Sequence, residues 1–229
     1  MVDDTKTIMD ERNAVRDTLI TAALAHIPFD GWGQTTLMRA ANDIGCAPEF
    51  AQTLFPDTTN DMIRWHCDHA IRILQTTLST MPPPDGVTAK VTLALETHFA
   101  LHKDHRLAIG RAAHLLSLPW NISLSLRLTH KIADAIWIYA GDRSSDHNYY
   151  TKRGLLSAVY LATLPVWLHD ASDDLGRTKE FMRRRLDNVL RIGKSIGSLR
   201  TPTNCPNTGG LLKHLRKGIL RERPMGMRK

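Results

Sequence analysis

The sequence predicts an all-α protein. Apolar residues recur at helical spacing along most of the chain, and proline and glycine punctuate them at intervals of one helix length. Nowhere does an apolar–polar alternation of period two stand between turn signals. At 229 residues, with 42% hydrophobic and 23% charged positions, the chain has a globular composition and enough length to bury a core.

Each helix can be read in turn. Val15, Leu19, Ala22 and Ala23 form a stripe on a first helix from about 10 to 26, which Pro28 and Asp30-Gly31 end. A second helix starts with Thr35 or Thr36 as its cap and runs through Leu37-Met38-Arg39-Ala40-Ala41 to Gly45. Pro48 opens a third, with Phe50, Leu54 and Phe55 as buried anchors. Asp57 to Asn60 cap a fourth, whose inner side carries Met62, Ile63, Ile71, Leu74 and Leu78. The Pro triplet in Met81–Gly86 cannot continue a helix, so it closes an N-terminal region of residues 1–80. Further helices follow near 88–103, 105–117, 122–140, 148–170 and 177–199, within a helical domain of residues 87–200. Residues 201–210, rich in Pro, Asn and Gly, read as a tether to a tail of residues 211–229 with one more short helix, Leu211 to Arg221.

Charge is distributed unevenly. Residues 1–60 hold 4 Lys/Arg against 9 Asp/Glu, residues 61–175 hold 11 against 11, and residues 176–229 hold 15 against 3. The excess of +7 therefore belongs to the C-terminal end, which points to one basic contact surface. No apolar run approaches the roughly 20 residues that span a bilayer. The acidic N-terminus resembles neither a secretory signal nor a transit peptide, so the expected location is bacterial cytoplasm, peripheral on the inner membrane. The alternative is the matrix side of the mitochondrial inner membrane, if a leader has been removed. Cys46, Cys67 and Cys205 stand too far apart for a zinc motif or disulfide framework and read as reduced thiols.

The front of the chain has helix-turn-helix order. Gly31, Thr36, Ala40-Ala41, Ile44-Gly45, Phe50 and Phe55 look like the DNA-binding half of TetR-type repressors. The chemistry argues the other way. Between Asp30 and Pro56 the sole cation is Arg39, and the second short helix offers only Gln52 and Thr53 to a base edge. A helix-turn-helix kept as scaffold is the favoured reading, and a ligand-responsive transcriptional regulator is the alternative.

In mid-chain stand Ala133-Asp134-Ala135-Ile136-Trp137, Ala140-Gly141-Asp142-Arg143-Ser144-Ser145-Asp146 and Asn148-Tyr149-Tyr150-Thr151-Lys152-Arg153. With Pro28-Phe29-Asp30-Gly31-Trp32, Leu118-Pro119-Trp120-Asn121 and Arg184-Arg185-Leu186-Asp187-Asn188, this pattern resembles the ninth Coq protein family of coenzyme Q (ubiquinone) biosynthesis over residues 12–192. The resemblance implies a TetR-like helical bundle, usually a homodimer, that holds a lipid and has no chemistry of its own. It also implies presentation of an isoprenoid quinone intermediate to a di-iron demethoxyubiquinone hydroxylase. The implied contact patch is Trp137, Asp142, Asp146, Asn148, Tyr149, Tyr150 and Arg153. Many relatives have Trp where this chain has Tyr149, which keeps an aromatic body with a polar tip. On the residues alone, Trp137 and Tyr150 serve equally well as core.

No catalytic constellation accompanies it. None of the five glutamates has His three residues on, so the Glu-x-x-His repeats of a di-iron bundle are missing, as are nucleotide and nucleophile-elbow fingerprints. His66-Cys67-Asp68-His69 and the His98, His102, His105 series place histidines at i, i+3 or i+4, a spacing also common on polar helix faces; no metal or cofactor is expected. Candidate lipid contacts are Leu115, Leu118, Trp120, Ile136, Leu156, Val159, Tyr160 and Trp167, with the 148–170 helix apolar on nearly all sides and therefore central. A dry core explains the same composition. In the tail, Leu211, Leu212, Leu215, Ile219 and Leu220 share a stripe flanked by Lys213, Arg216 and Lys217. That is the form of a helix lying in a membrane interface; docking back onto the chain's own domain or a dimer mate is the competing reading.

Overall fold

The computed structural model describes residues 2–144 and 147–198. Among them it contains nine α-helices, two 3-10 turns and no strand, so the protein is all-α. The helices are α1 (Val2–Asp30), α2 (Gln34–Asp43), α3 (Pro48–Leu54), α4 (Thr58–Thr80), α5 (Val87–Leu101), α6 (Arg106–Leu116), α7 (Ile122–Tyr139), α8 (His147–Leu168) and α9 (Gly176–Ser198). Residues 1–190 make one compact unit; residues 191–229 make a second, of which only the end of α9 is described.

A single apolar cluster organises the first unit. It joins Leu19, Ile20 and Ile27 of α1 to Leu37 of α2, Leu54 of α3 and Met62 and Leu74 of α4. It continues into Leu95 and Phe99 of α5, Ile136 of α7, Leu156 and Trp167 of α8 and Met182 of α9. The cluster therefore runs on both sides of the Pro82–Pro84 break. Trp32, between α1 and α2, is 4% exposed and donates its indole N–H to the Ala108 carbonyl of α6 at 2.8 Å, while Thr59 donates to the Trp32 carbonyl. Arg111 of α6 donates to the Pro28 carbonyl at 2.7 Å. These bonds tie the N-terminal helices to the later ones.

Several local expectations are corrected. Helix α1 is longer than the stripe suggests and continues through Pro28 to Asp30 before Gly31, at φ +78°, turns the chain. In the last turn of a helix a proline costs little, because few backbone bonds remain to lose. Helix α2 is capped by neither threonine: Gly33 holds the cap position, and Thr36, inside the helix, donates its hydroxyl to the Gly31 carbonyl at 2.6 Å. Phe50 is not an anchor; it is 39% exposed on α3, where Arg12 lies over its ring. Helix α8 is apolar all round but not covered all round, since Gly154, Ala158, Leu161, Ala162 and Pro165 leave one face open. Small residues add little apolar area there, which makes the exposure inexpensive.

Candidate functional site

Helices α4 to α8 surround a cavity of about 180 Å³. Its apolar wall comes from Ile63 and Ala70 of α4, Ile109, Ala112 and Leu116 of α6, Leu128 and Ile132 of α7, and Leu164 of α8. Its polar lining comes from His66 and Cys67 of α4, His98 of α5, His102 just beyond α5, Ser117 just after α6, Ser125 and Thr129 of α7, and Tyr160 of α8. Ser117 and Leu161, both exposed, carry the wall out to the surface.

The imidazoles meet because of two separate geometries. His98 and His102 stand one helical turn apart and therefore share a face of α5, and their ring centroids are 4.8 Å apart. Helix α4 packs alongside and brings His66 to 5.6 Å from His102, with Trp32 at 5.5 Å on its other side. Tyr160 packs edge-on against His98 and stacks on Phe99. The Nδ1 atoms of His66 and His98 are buried and have no hydrogen-bond partner among the described residues.

Burial makes this cluster neutral. It is the main force lowering His66 to about 3, with further repulsion from His102, His69 and His105. Burial, followed by His105 and His69, lowers His102 to about 4, and burial, followed by His102 and His66, also holds His98 well below its ordinary value. Burial and the neighbouring Asp68 push the Cys67 thiol up to about 12 against an opposing pull from Lys131, so it is a thiol and not a nucleophilic thiolate. Burial, then Cys67, raises Tyr160 too. Among the described residues no Asp, Glu, Lys or Arg lines the cavity. Among the described residues no group of three His, Cys, Asp or Glu has a metal-ligating arrangement.

A second constellation lies where α7 meets α8. Arg153, 2% exposed, donates from Nε to Asp134 at 2.6 Å and from Nη1 to Asp142 at 2.9 Å. Its guanidinium lies 3.5 Å from the Tyr149 ring centroid, and Tyr149 donates its hydroxyl to Asp134. Lys152 donates to Asp142 at 2.6 Å and to Ser144 at 2.8 Å, and its backbone carbonyl accepts the Trp137 indole N–H. Burial alone pushes the Asp142 carboxyl up; bonds from Lys152, Arg153 and Ser144 outweigh it and hold the group well below the usual carboxylate range. Gly141, at φ +86°, makes the turn that aims Asp142 back at α8.

The sequence-derived residues separate accordingly. In the patch, Asp142, Arg153 and Tyr149 bond to their own fold, Trp137 is half-buried, and Tyr150, 70% exposed, and Asn148 face outward. Asp146 lies outside the described residues. Of the lipid candidates, Tyr160 lines the cavity; Ile136, Leu156, Val159 and Trp167 are core, and Trp120 is 75% exposed. Leu115 is half-buried on a different, open cleft, and Leu118 is half-buried at the start of a 3-10 turn. Leu211, Leu212, Lys213, Leu215, Arg216, Lys217, Ile219 and Leu220 lie outside the described residues. His66, Cys67, His98 and His102 were the positions missed as cavity lining. The i, i+4 spacing of His98 and His102 signalled a shared face, but nothing local signalled that α4 would bring His66 to it.

Known proteins share this arrangement of sequence. The COQ9 family model matches residues 122–193, which hold α7, α8 and most of α9 with the Asp134–Asp142–Arg153 network. The human protein named ubiquinone biosynthesis protein COQ9, mitochondrial, is 26% identical over 199 residues, covering 84% of this chain and 63% of its own length. The fission yeast Schizosaccharomyces pombe protein of the same description is 24% identical, over 80% of this chain and 71% of its own length. A Dictyostelium discoideum protein, described as a probable member, is 27% identical over 77% of this chain and 60% of its own. Against its animal relatives the chain spans little more than six-tenths of their length, 63% for human and 62% for bovine. The likeness to the ninth Coq family read from the sequence thus holds: the COQ9 family model matches residues 122–193, within a similarity to COQ9 proteins that covers 84% of the chain in the human comparison.

Proposed function

We propose that this chain is a lipid-binding accessory protein of ubiquinone biosynthesis, which takes up quinone intermediates and presents them to a demethoxyubiquinone hydroxylase at a membrane. The observation that carries the reading is the cavity among α4 to α8: mostly apolar, uncharged and reaching the surface at Ser117 and Leu161. Apolar pockets between bundle helices with a few convergent polar groups are the usual form of a small-molecule site. The names of the relatives supply the pathway.

In this reading the chain performs no reaction; it holds the lipid, and its partner does the chemistry. Tyr150 and Asn148 offer the outward contact to the hydroxylase, over a base fixed by Arg153 and the two carboxylates. Aromatic side chains with a polar tip are favoured where one protein grips another. The basic tail of residues 211–229 brings the assembly to an anionic lipid surface, each Lys or Arg near that surface contributing roughly 1 kcal/mol. The functional unit in this reading is a homodimer.

A ligand-responsive DNA-binding regulator is not favoured. Arg39, the sole cation between Asp30 and Pro56, is paired with Asp30 at 2.9 Å, and the first 60 residues carry a net −5 that a phosphate backbone repels.

The test is mass spectrometry of lipids extracted from the purified full chain and from Ser125→Phe, which puts a ring into the cavity wall. Prenylated quinone or phenol species in the first and their loss from the second are expected. A chain that purifies without hydrophobic cargo, and takes up none from quinone-containing vesicles, overturns the reading.

A further inference from the structure

We propose that the open cleft between the end of α1, α6 and the end of α8 binds a phosphate group carried on an apolar body, with Arg111 and His114 as the contacting groups. The cleft shares no lining residue with the cavity among α4 to α8, so the two sites stand or fall separately.

The shape of the cleft follows from one face of α6. Its volume is about 620 Å³, within the range of small-molecule sites. Leu107, Gly110, Arg111 and His114 line it from α6, at the three- and four-residue spacing that puts positions on one helix face. Gly110 has no side chain, so that face is hollow in the middle, with an apolar group at one end and an imidazole at the other. Leu168 and His169 contribute from the end of α8.

The donors are held in place before any ligand arrives. Arg111 donates from Nη2 to the Pro28 carbonyl at 2.7 Å, which ties the guanidinium to the last turn of α1. A guanidinium has five N–H donors, and Arg111 is exposed, so the others are open to a ligand. Ordering a side chain that is already tied costs less on binding. Arg106 donates to the Asp170 carbonyl and lies over the Trp167 ring at 5.4 Å. Its Nε and Nη2 are enclosed, so it gives the cleft a fixed charge and not a contact. His169 bonds the Pro165 carbonyl through Nδ1 at 2.8 Å, which leaves its Nε2 uncommitted.

Charge decides that an anion enters. The carbonyl ends of α1 and α8 carry about half a negative charge each, which Arg106 and Arg111 together exceed by about one positive charge. Asp30, also on the wall, is paired with Arg39 at 2.9 Å. Helix α6 carries no Asp or Glu to oppose the ligand. A single guanidinium edge satisfies a carboxylate by itself. The three terminal oxygens of a phosphate ester can instead take donors from Arg111 and from imidazoles on two helices. The body of the ester is apolar because Leu107 is 72% exposed and Leu115 and Leu168 are half-buried in the same cleft. Inorganic phosphate would leave these leucines in water. A phospholipid headgroup and a soluble phosphate ester both present this chemistry.

The experiment is calorimetric titration of the full 229-residue chain with inorganic phosphate, hexyl phosphate, dihexanoyl phosphatidate and hexanol, each below its micellar concentration. The two esters are expected to bind roughly tenfold more tightly than hexanol or inorganic phosphate, the worth of one charge-assisted bond or one covered leucine. Tighter phosphatidate assigns the site to a lipid headgroup, and tighter hexyl phosphate to a soluble ester; either ranking supports it. Arg111→Gln/His114→Gln should weaken both esters roughly tenfold, while Leu107→Ser should remove only their advantage over inorganic phosphate. Ser125→Phe, in the wall of the other cavity, should leave ester affinity unchanged. As a readout that no folding defect can mimic, the imidazole resonances of His114 and His169 in the unsubstituted chain should move when ester is added. Esters that do not bind, that bind no better than hexanol, or that bind the Arg111/His114 variant undiminished overturn the proposal, as do unmoved His114 and His169 resonances at saturation. None of these results bears on the cavity among α4 to α8.

Discussion

Lowering the pH from 7 to 5 should weaken this fold steeply, through His66, His98 and His102. In the folded chain His66 and His102 are lowered to about 3 and about 4, with burial the main cause, and His98 moves in the same direction. In the unfolded chain each imidazole titrates near 6.5. Between those values the unfolded state binds protons that the folded state refuses, so stability is retained above pH 6.5 and lost as the pH falls below it. For an imidazole that stays neutral in the fold at pH 5, the loss between pH 7 and pH 5 is roughly 2 kcal/mol. For His66 and His102 together that is about 4 kcal/mol, with His98 adding in the same direction, against a total stability of about 5–15 kcal/mol for an ordinary domain. Asp142 and Asp170, both held below the carboxylate range, lose their contribution only under more acid conditions and do not act in this window. The assay is urea unfolding of the full chain, followed by far-UV circular dichroism at pH 7, 6 and 5. The same series on His66→Asn/His98→Asn/His102→Asn should show a much flatter pH dependence. A stability that is level from pH 7 to 5, or a slope that survives the triple substitution, refutes the assignment of these residues as buried neutral imidazoles.

Three other expectations test the rest of the molecule. Asp142→Asn leaves Arg153 with Asp134 alone and Lys152 without its carboxylate, and because removing one partner of a buried ion-pair network is costly, thermal unfolding should report a loss of about 3 kcal/mol. Tyr150→Ala removes an outward ring, so stability should stay within about 0.5 kcal/mol while co-purification with the hydroxylase falls at least tenfold; unchanged association removes Tyr150 from the contact. Deleting residues 201–229 should abolish sedimentation with anionic vesicles and leave lipid uptake from detergent unchanged; undiminished sedimentation shifts the membrane contact elsewhere.

The helices were legible because their signals are local. Pro48, Gly45, the Pro82–Pro84 triplet and the 3.6-residue stripes fixed where segments start and stop, to within a turn or so. The exceptions are also local in origin: Pro28 sits where a helix tolerates it, and Phe50 has an aromatic side chain but no neighbouring core. The cavity was not legible, since it needs side chains from α4, α5, α6, α7 and α8 at once. Apolar composition identified Leu156, Val159 and Trp167 as greasy without saying whether they face a ligand or one another; they face one another. The histidines were visible as a spacing and were weighed as metal ligands or surface groups. Their role depends on burial, which one helix's sequence does not reveal.

Helix α8 connects the two constellations and, on the proposed function, constrains how a lipid can be handed over. Tyr160 touches the cavity and Tyr150 faces outward ten residues earlier on the same helix. At 1.5 Å per residue they are about 15 Å apart along its axis. On the proposed reading, a lipid held beside Tyr160 is therefore out of reach of an enzyme bound over Tyr150, unless the lipid leaves through the opening at Ser117 and Leu161 first. Holding and presenting are then separate steps with separable determinants. Tyr150→Ala should leave the lipid content of the purified chain as it was, and the cavity substitution Ser125→Phe should empty the chain without loosening the hydroxylase. If removing Tyr150 empties the cavity as well, α8 is not a rigid spacer between two sites, and the grip on the partner and the grip on the lipid are one event.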